Sequence, residues 1–158
     1  MKLNKFILLL ITLTSFSLLG VGAYLQFHLD MAPCPLCILQ RYAFAATGLI
    51  CLITFFIAKK YTRFSSTLAM IASLSGAIIA VRHIWIKAHP TVSCGIDPLE
   101  TSLNTIFTAK LLPFLFQADG LCTTEYDPIL GLSIPQWSVI WFVIFLLALS
   151  FIVIRKSD

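Results

Sequence analysis

Charged residues are scarce in this sequence of 158 residues: they make up 11% of the chain, whereas hydrophobic residues make up 59%. A soluble domain typically contains about 25% charged residues. The mean hydropathy of +0.94 therefore indicates that much of the surface faces lipid. The chain also lacks a Lys/Arg-rich run with interleaved aromatic residues, which argues against nucleic-acid binding. Its length suits one domain spanning residues 1–158.

The apolar residues are concentrated in four runs. These runs, at about 6–27, 41–58, 64–84 and 137–154, approach or reach the roughly 20 residues that a helix needs to cross a bilayer. Lipid cannot satisfy the backbone groups of a lone strand, so the spans are expected to be helical. We therefore predict an all-α integral membrane protein, a bundle of four transmembrane helices with extracytoplasmic loops at about 28–40 and 88–136.

Basic residues are concentrated on one side of this predicted bundle. Seven of the eleven flank the termini and the second connection, namely Lys2, Lys5, Lys59, Lys60, Arg63, Arg155 and Lys156. By the positive-inside rule, both termini are predicted to be cytoplasmic. The first run alternatively resembles a cleaved signal peptide, but it is longer than the usual 7–15 apolar residues. The residues that follow it would face outward in either case.

The long second loop contains apolar residues at helical spacing: Leu99, Leu103, Ile106, Phe107 and Leu111. This pattern predicts a short amphipathic helix that lies on the membrane surface. A loop helix packed against the bundle explains the pattern equally well.

Four of the five cysteines fall in the predicted outward loops: Cys34 and Cys37 in the first, Cys94 and Cys122 in the second. Cys51 lies in the second apolar run, where a thiol packs as a small apolar residue. Cysteines in an oxidising compartment normally form disulfides, and four of them allow three pairings. Two structural disulfides are therefore one interpretation.

The spacing of Cys34 and Cys37 favours redox chemistry instead. A disulfide that closes so small a ring stabilises the fold little, whereas dithiol oxidoreductases use C-x-x-C to lower the pKa of one thiol. Pro35 suits the first turn of a helix, which places Cys37 near free N–H groups and the positive end of the helix dipole. Arg41, one turn further on the same face, also favours a thiolate at Cys37.

Two cofactor sites are disfavoured by the sequence. A c-type haem site requires C-x-x-C-H, but Ile38 follows Cys37. A zinc site built from four cysteines prefers two close pairs, whereas Cys94 and Cys122 are 28 residues apart. We therefore expect no resident metal.

Several motifs together resemble the disulfide bond formation protein B (DsbB) family. They lie in order from about residue 28 to 140 and are CPLCILQR (34–41), RHIW (82–85), CG (94–95), DGLC (119–122) and LGLSIPQW (130–137). The resemblance implies an enzyme of the bacterial inner membrane with periplasmic redox loops. This enzyme would reoxidise a periplasmic, thioredoxin-like dithiol oxidase (DsbA-like) and pass the electrons to ubiquinone or menaquinone.

The resemblance also implies residue roles. Cys94 and Cys122 would form the disulfide attacked by the partner, with the mixed disulfide at Cys94. Cys122 would then attack Cys34 and release Cys37 as a thiolate beside the quinone. Arg41 and His83 would contact the quinone. The resemblance thus implies that Cys34, Cys37, Cys94 and Cys122 are catalytic and that Arg41 and His83 bind the cofactor.

The sequence departs from the family pattern at two places. Glu125-Tyr126-Asp127 replaces a stretch that often contains tryptophan, and Lys87 stands where glutamine is common. Three other hypotheses remain: a paralogue in the same family that serves a dedicated partner, a non-catalytic scaffold with two structural disulfides, and a vitamin K epoxide reductase-like enzyme. In the last of these the C-x-x-C usually lies late in the chain.

Overall fold

The fold is known from a computed structural model that describes residues 2–57, 61–89, 91, 96–124 and 126–154. Cys94 and Glu125 lie outside the described residues, as do the basic residues Lys59, Lys60, Arg155 and Lys156. Within the described part, seven helices follow one another: α1 Lys2–His28, α2 Pro35–Phe56, α3 Thr62–Ala88, α4 Ile96–Thr105, α5 Phe107–Leu111, α6 Pro113–Phe116 and α7 Ile134–Ile154. The described residues contain no strand beyond an isolated bridge between Ile129 and Leu132.

Four of these helices, α1, α2, α3 and α7, are long and apolar enough to cross a membrane. The prediction of an all-α membrane protein with four spans is therefore confirmed. Helix α2 starts at Pro35 rather than at about residue 41, because the proline and Cys34 provide a helix start before the first charged residue. Both Cys37 and Arg41 consequently lie on this helix.

Small and aromatic side chains pack together with leucine and isoleucine in the bundle core. Helix α3 packs against α2 and α7, and α1 packs against α2. Ala69 and Ser73 are fully buried, which agrees with the close helix packing that small residues allow. A Cβ at Gly76 would meet the ring of Phe142, and Phe142 stacks on Phe44 with ring centroids 4.0 Å apart. Large apolar residues on the outer faces, such as Leu147, are exposed, as expected for contact with lipid.

The long loop forms a layer over one end of the bundle, and its helix is broken. Ile106, with an extended backbone (φ −63°, ψ 140°), separates α4 from α5. One side of this layer packs inward, because Leu103, Ala109 and Phe116 are buried in a cluster with Ile38. The other side exposes Phe107 (72%), together with Leu111. The segment thus packs on the bundle and also presents an apolar face, whereas its position on a membrane surface stays a prediction.

Candidate dithiol site

Cys34 and Cys37 are brought together by the start of α2. Cys34 is the N-cap residue with extended backbone, and its Sγ accepts a hydrogen bond of 3.3 Å from the N–H of Cys37. An N-cap side chain normally satisfies one of the free N–H groups in the first turn, and here a sulfur atom takes that role. The two Sγ atoms lie 2.9 Å apart, and both cysteines are free thiols. This geometry suits conversion between dithiol and disulfide.

The two thiols are not equivalent. Cys34 is 2% exposed, and its pKa is raised, first by the hydrogen bond to the Cys37 side chain and then by burial. Cys34 therefore keeps its proton and can donate it towards the Cys37 sulfur. Such a bond supports negative charge on Cys37, which is the arrangement that the sequence favoured.

His83, a buried residue of α3, lies between the loop that contains Cys34 and the loop that contains Cys122. Its Nε2 is 3.7 Å from Cys34 Sγ and 3.3 Å from the backbone carbonyl oxygen of Cys122. On its other side, Gln40 Nε2 lies 3.3 Å from His83 Nδ1. When the Gln40 amide donates to Nδ1, the ring proton must be on Nε2, where it can be donated to the Cys122 carbonyl. His83 thus contacts residues of both loops.

Cys122 reaches the dithiol because its own loop is docked on the first loop. The backbone N–H groups of Asp119 and Gly120 both donate to the carbonyl of Pro33, each at 3.1 Å. A Cβ at Gly120 would clash with the carbonyl oxygen of Ala32, so only glycine allows this close approach. Cys122 is buried and disulfide-bonded. It shares an apolar cluster with Cys34, Leu36 and Ile86.

Arg41 extends from α2 to the same end of the bundle and is held by neutral oxygen atoms. Its guanidinium donates to Gln26 Oε1 (3.0 Å), to the Leu115 carbonyl (2.9 Å) and to the Gly22 carbonyl (3.0 Å). Among the residues that the structure describes, no carboxylate pairs with Arg41. A half-buried cation without an anionic partner leaves an unbalanced positive charge, which an electron-rich ligand would complement.

A cavity connects these groups. It has an empty volume of about 910 Å³, open mouth included, and its polar lining contains Cys34, Cys37, Gln40, Arg41 and His83. The apolar part of the lining includes Leu18, Leu19, Leu25, Phe44 and Ile134. A pocket with apolar walls and a few convergent polar groups is typical of small-molecule sites. A ligand with a polar ring and an apolar tail fits this distribution of groups.

Tyr126 and Gln40 belong to the site but were given no role from the sequence. The Tyr126 hydroxyl donates to the Ala32 carbonyl at 3.2 Å. Its pKa is raised by burial and by the nearby sulfurs of Cys37 and Cys34. Tyr126 occupies the stretch where the family pattern often has tryptophan, so an aromatic residue is retained there. Gln40 adjoins Arg41 in the motif, but no sequence signal links it to His83.

Of the residues predicted for the site, the structure brings together Cys34, Cys37, Arg41, His83 and Cys122. Cys94, the remaining predicted cysteine, is outside the described residues. Cys51 is a free, fully buried thiol in the bundle core, as expected for a packing residue.

A dithiol at the mouth of an apolar four-helix bundle, next to a disulfide-bonded cysteine, defines a membrane-embedded disulfide oxidoreductase. Comparison with known proteins agrees. Residues 4–152 match the family model described as "Disulfide bond formation protein DsbB". The chain therefore belongs to the DsbB family of membrane proteins that form disulfide bonds.

Curated relatives share this description over nearly their whole length. "Disulfide bond formation protein B" of Herminiimonas arsenicoxydans is 61% identical over 158 residues, 100% of both chains. The protein of the same name from Cupriavidus necator is 46% identical over 149 residues, 94% of this chain and 92% of the relative. "Disulfide bond formation protein B 1" of Pseudomonas putida is 42% identical over 138 residues, 87% and 82% respectively.

Proposed function

We propose that this protein reoxidises a periplasmic, thioredoxin-like dithiol oxidase of the DsbA type and passes the electrons to membrane quinone. The observation that carries the proposal is the position of His83, within 3.7 Å of Cys34 Sγ and 3.3 Å of the Cys122 carbonyl. This position brings the two redox loops to one point at the mouth of the cavity. Electrons that enter at one loop can therefore leave through the other.

The proposed exchange starts with Cys94 and Cys122 joined as a disulfide. A thiolate of the partner attacks Cys94, forms a mixed disulfide and releases Cys122 as a thiolate. Cys122 then attacks Cys34 of an oxidised Cys34–Cys37 pair, and Cys37 leaves as a thiolate. The second thiol of the partner resolves the mixed disulfide, so the partner leaves oxidised. The two electrons remain on this chain.

Three features support this order. Disulfide exchange favours the leaving group that is the better thiolate, and the raised pKa of Cys34 makes Cys37 the better one of the pair. Cys37 lines the cavity, so its charge develops where the electrons must leave. The buried cluster shared by Cys34 and Cys122 keeps these two residues close.

Arg41 and His83 are proposed to hold the quinone, ubiquinone or menaquinone, in the cavity. When bound, this group would supply an acceptor for two electrons and two protons. Arg41, already fixed by three neutral acceptors, would donate to a quinone oxygen and stabilise charge that develops there. The Arg41 charge would also stabilise the Cys37 thiolate. The apolar walls exclude water from the same region.

The electron transfer can be tested by anaerobic mixing of purified protein, a reduced DsbA-type partner and a ubiquinone or menaquinone analogue. We expect one quinol per oxidised partner, and no quinol when either Cys37 or Cys122 is replaced by serine. A Cys51→Ala variant is the matched control and should retain the reaction. Normal quinol formation by Cys37→Ser would overturn the proposal, and a scaffold with structural disulfides would form no quinol in any variant.

We further propose that the chain lies in the bacterial inner membrane with both termini cytoplasmic and the redox loops periplasmic. The distribution of basic residues supports this orientation. Labelling of reduced, intact cells with an impermeant maleimide tests it. Cys37 should be labelled from outside, while a cysteine introduced at Lys5 should not. The reverse pattern would exclude a periplasmic partner.

A further inference from the structure

We propose that the reduced Cys34–Cys37 pair and His83 form a binding site for one thiophilic divalent cation, of the Zn²⁺ or Cd²⁺ class. The Sγ atoms of both cysteines and a ring nitrogen of His83 all lie within 4.8 Å of one another. They are the only such group of three in the part of the chain that the structure describes. This site differs from the four-cysteine zinc site that the sequence disfavours, because it needs only one cysteine pair.

The distances suit tetrahedral coordination. Metal–sulfur bonds of about 2.3 Å and metal–nitrogen bonds of about 2.0–2.1 Å place sulfur and nitrogen ligands roughly 3.6 Å apart. Cys34 Sγ and His83 Nε2 are 3.7 Å apart. Two sulfur ligands require roughly 3.8 Å, so the present Sγ–Sγ distance of 2.9 Å must widen. Rotation of the Cys37 side chain, the more exposed of the two, provides that change.

Gln40 makes His83 able to serve as a ligand. A metal on Nε2 requires the ring proton on Nδ1, where it needs an acceptor. The Gln40 amide, 3.3 Å from Nδ1, can turn so that its oxygen accepts this proton, whereas in the metal-free state its nitrogen donates. A glutamine thus supports both tautomers of His83.

The charges balance when the cation binds. The Cys34 S–H bond breaks, Cys37 binds as the thiolate or loses its own proton, two sulfur–metal bonds form, and the released protons leave to solvent, with no change of oxidation state. The two thiolates neutralise the divalent cation, so the charged groups that line the cavity, Arg41, Lys87 and Asp127, face a neutral site. The disulfide form has no thiolates, so binding should be restricted to the reduced state. If the proposed function holds, the cation would block reoxidation of the pair.

Binding can be measured with Cd²⁺ alone, without quinone or partner, so its outcome is independent of the proposed electron transfer. The full chain with Cys94→Ser and Cys122→Ser serves as parent, because the second cysteine pair is then removed. After anaerobic reduction, we expect one Cd²⁺ per chain, sulfur-to-metal absorption and proton release. Cys34→Ser should abolish tight binding, and Cys51→Ala should not change it. Equal binding by the oxidised parent would overturn the proposal.

The role of His83 has its own matched control. In the same parent, His83→Gln should weaken Cd²⁺ binding, while His89→Gln, which changes an exposed histidine of the same region, should not. Gln40→Met should weaken binding by roughly 10–100-fold, the range for a residue that orients a metal ligand. Unchanged affinity in His83→Gln would overturn the three-ligand site. If His83→Gln misfolds, ¹¹³Cd NMR of the parent provides the test. A ¹¹³Cd chemical shift typical of sulfur ligands without a nitrogen ligand would also overturn the three-ligand site.

Discussion

Helix α2 contains cysteines in two contrasting environments. Cys51 is fully buried in the middle of the bundle, where its neighbours are the apolar side chains of the core cluster. Cys37 lies near the helix start, beside a second thiol, with Arg41 and His83 on the same cavity. Burial alone does not separate the two environments, because Cys34, the thiol beside Cys37, is nearly as buried as Cys51. We therefore expect the surrounding charges and hydrogen bonds to set the reactivity of these thiols.

The largest expected effect comes from replacing each of these two cysteines in turn. Cys37→Ser should reduce quinol formation to the background rate, since no thiolate can then leave at the cavity. Cys51→Ala should keep the rate within about twofold and cost only stability, on the order of 1–2 kcal/mol for the loss of a small buried group. Stopped-flow quinone absorbance and thermal unfolding measure the two effects. Equal loss of activity in both variants would remove the distinction between the two environments.

Arg41 should give the next largest effect. Arg41→Met removes the positive charge next to the cavity, and we expect the KM for quinone to rise by roughly 10–100-fold, given about 1.5–3 kcal/mol for a hydrogen bond to a charged group. Arg41→Lys should recover part of this loss because the charge remains but the forked donor geometry does not. A purely structural Arg41 would instead lower the melting temperature and leave the KM unchanged.

The fold was predictable from the sequence because membrane spans depend on long apolar runs, which are local properties. Pro35 and the C-x-x-C spacing likewise indicated a helix start at the dithiol, since capping is also local. The break at Ile106 was not predicted, because an amphipathic period continues through it. The structure shows that Leu103 is buried whereas Phe107 is exposed. One side of the segment therefore packs on the bundle, and the other side is exposed.

Contacts between distant parts of the chain were not predictable in the same way. Gln40 and His83 are 43 residues apart, and Tyr126 meets Ala32 across 94 residues. Nothing in the local pattern around Gln40 distinguishes it from a polar residue at a membrane boundary. The resemblance to a family placed His83 in the site, but its bonds to Gln40 and to the Cys122 carbonyl follow only from the docking of one loop on the other.

A substitution at Gly120 tests whether the docking of the second loop on the first affects exchange between the two cysteine pairs. Gly120→Ala places a Cβ against the Ala32 carbonyl, and the resulting backbone shift should cost about 1–3 kcal/mol. We expect slower exchange between the two cysteine pairs, with unchanged quinone binding. Gly20→Ala is the matched control, because no atom lies within 4 Å of the added Cβ and alanine favours the helix. Quenched-flow analysis of disulfide intermediates measures the exchange, and equal rates in both variants would show that docking does not limit it.

The smallest effect concerns the inequality of Cys34 and Cys37. Because the pKa of Cys34 is raised, chiefly by its hydrogen bond to Cys37, Cys34 stays protonated through neutral and mildly alkaline pH. Since the thiolate is the nucleophile, alkylation of Cys34 by iodoacetamide should be slow there and should accelerate only at higher pH. In Cys37→Ala no side chain remains to hydrogen-bond the Cys34 thiol, so the rise should shift to lower pH and the rate at pH 8 should increase several-fold. Mass spectrometry of the reduced protein resolves the two sites. An identical pH profile for Cys34 in both proteins would show that burial alone, and not Cys37, holds its proton.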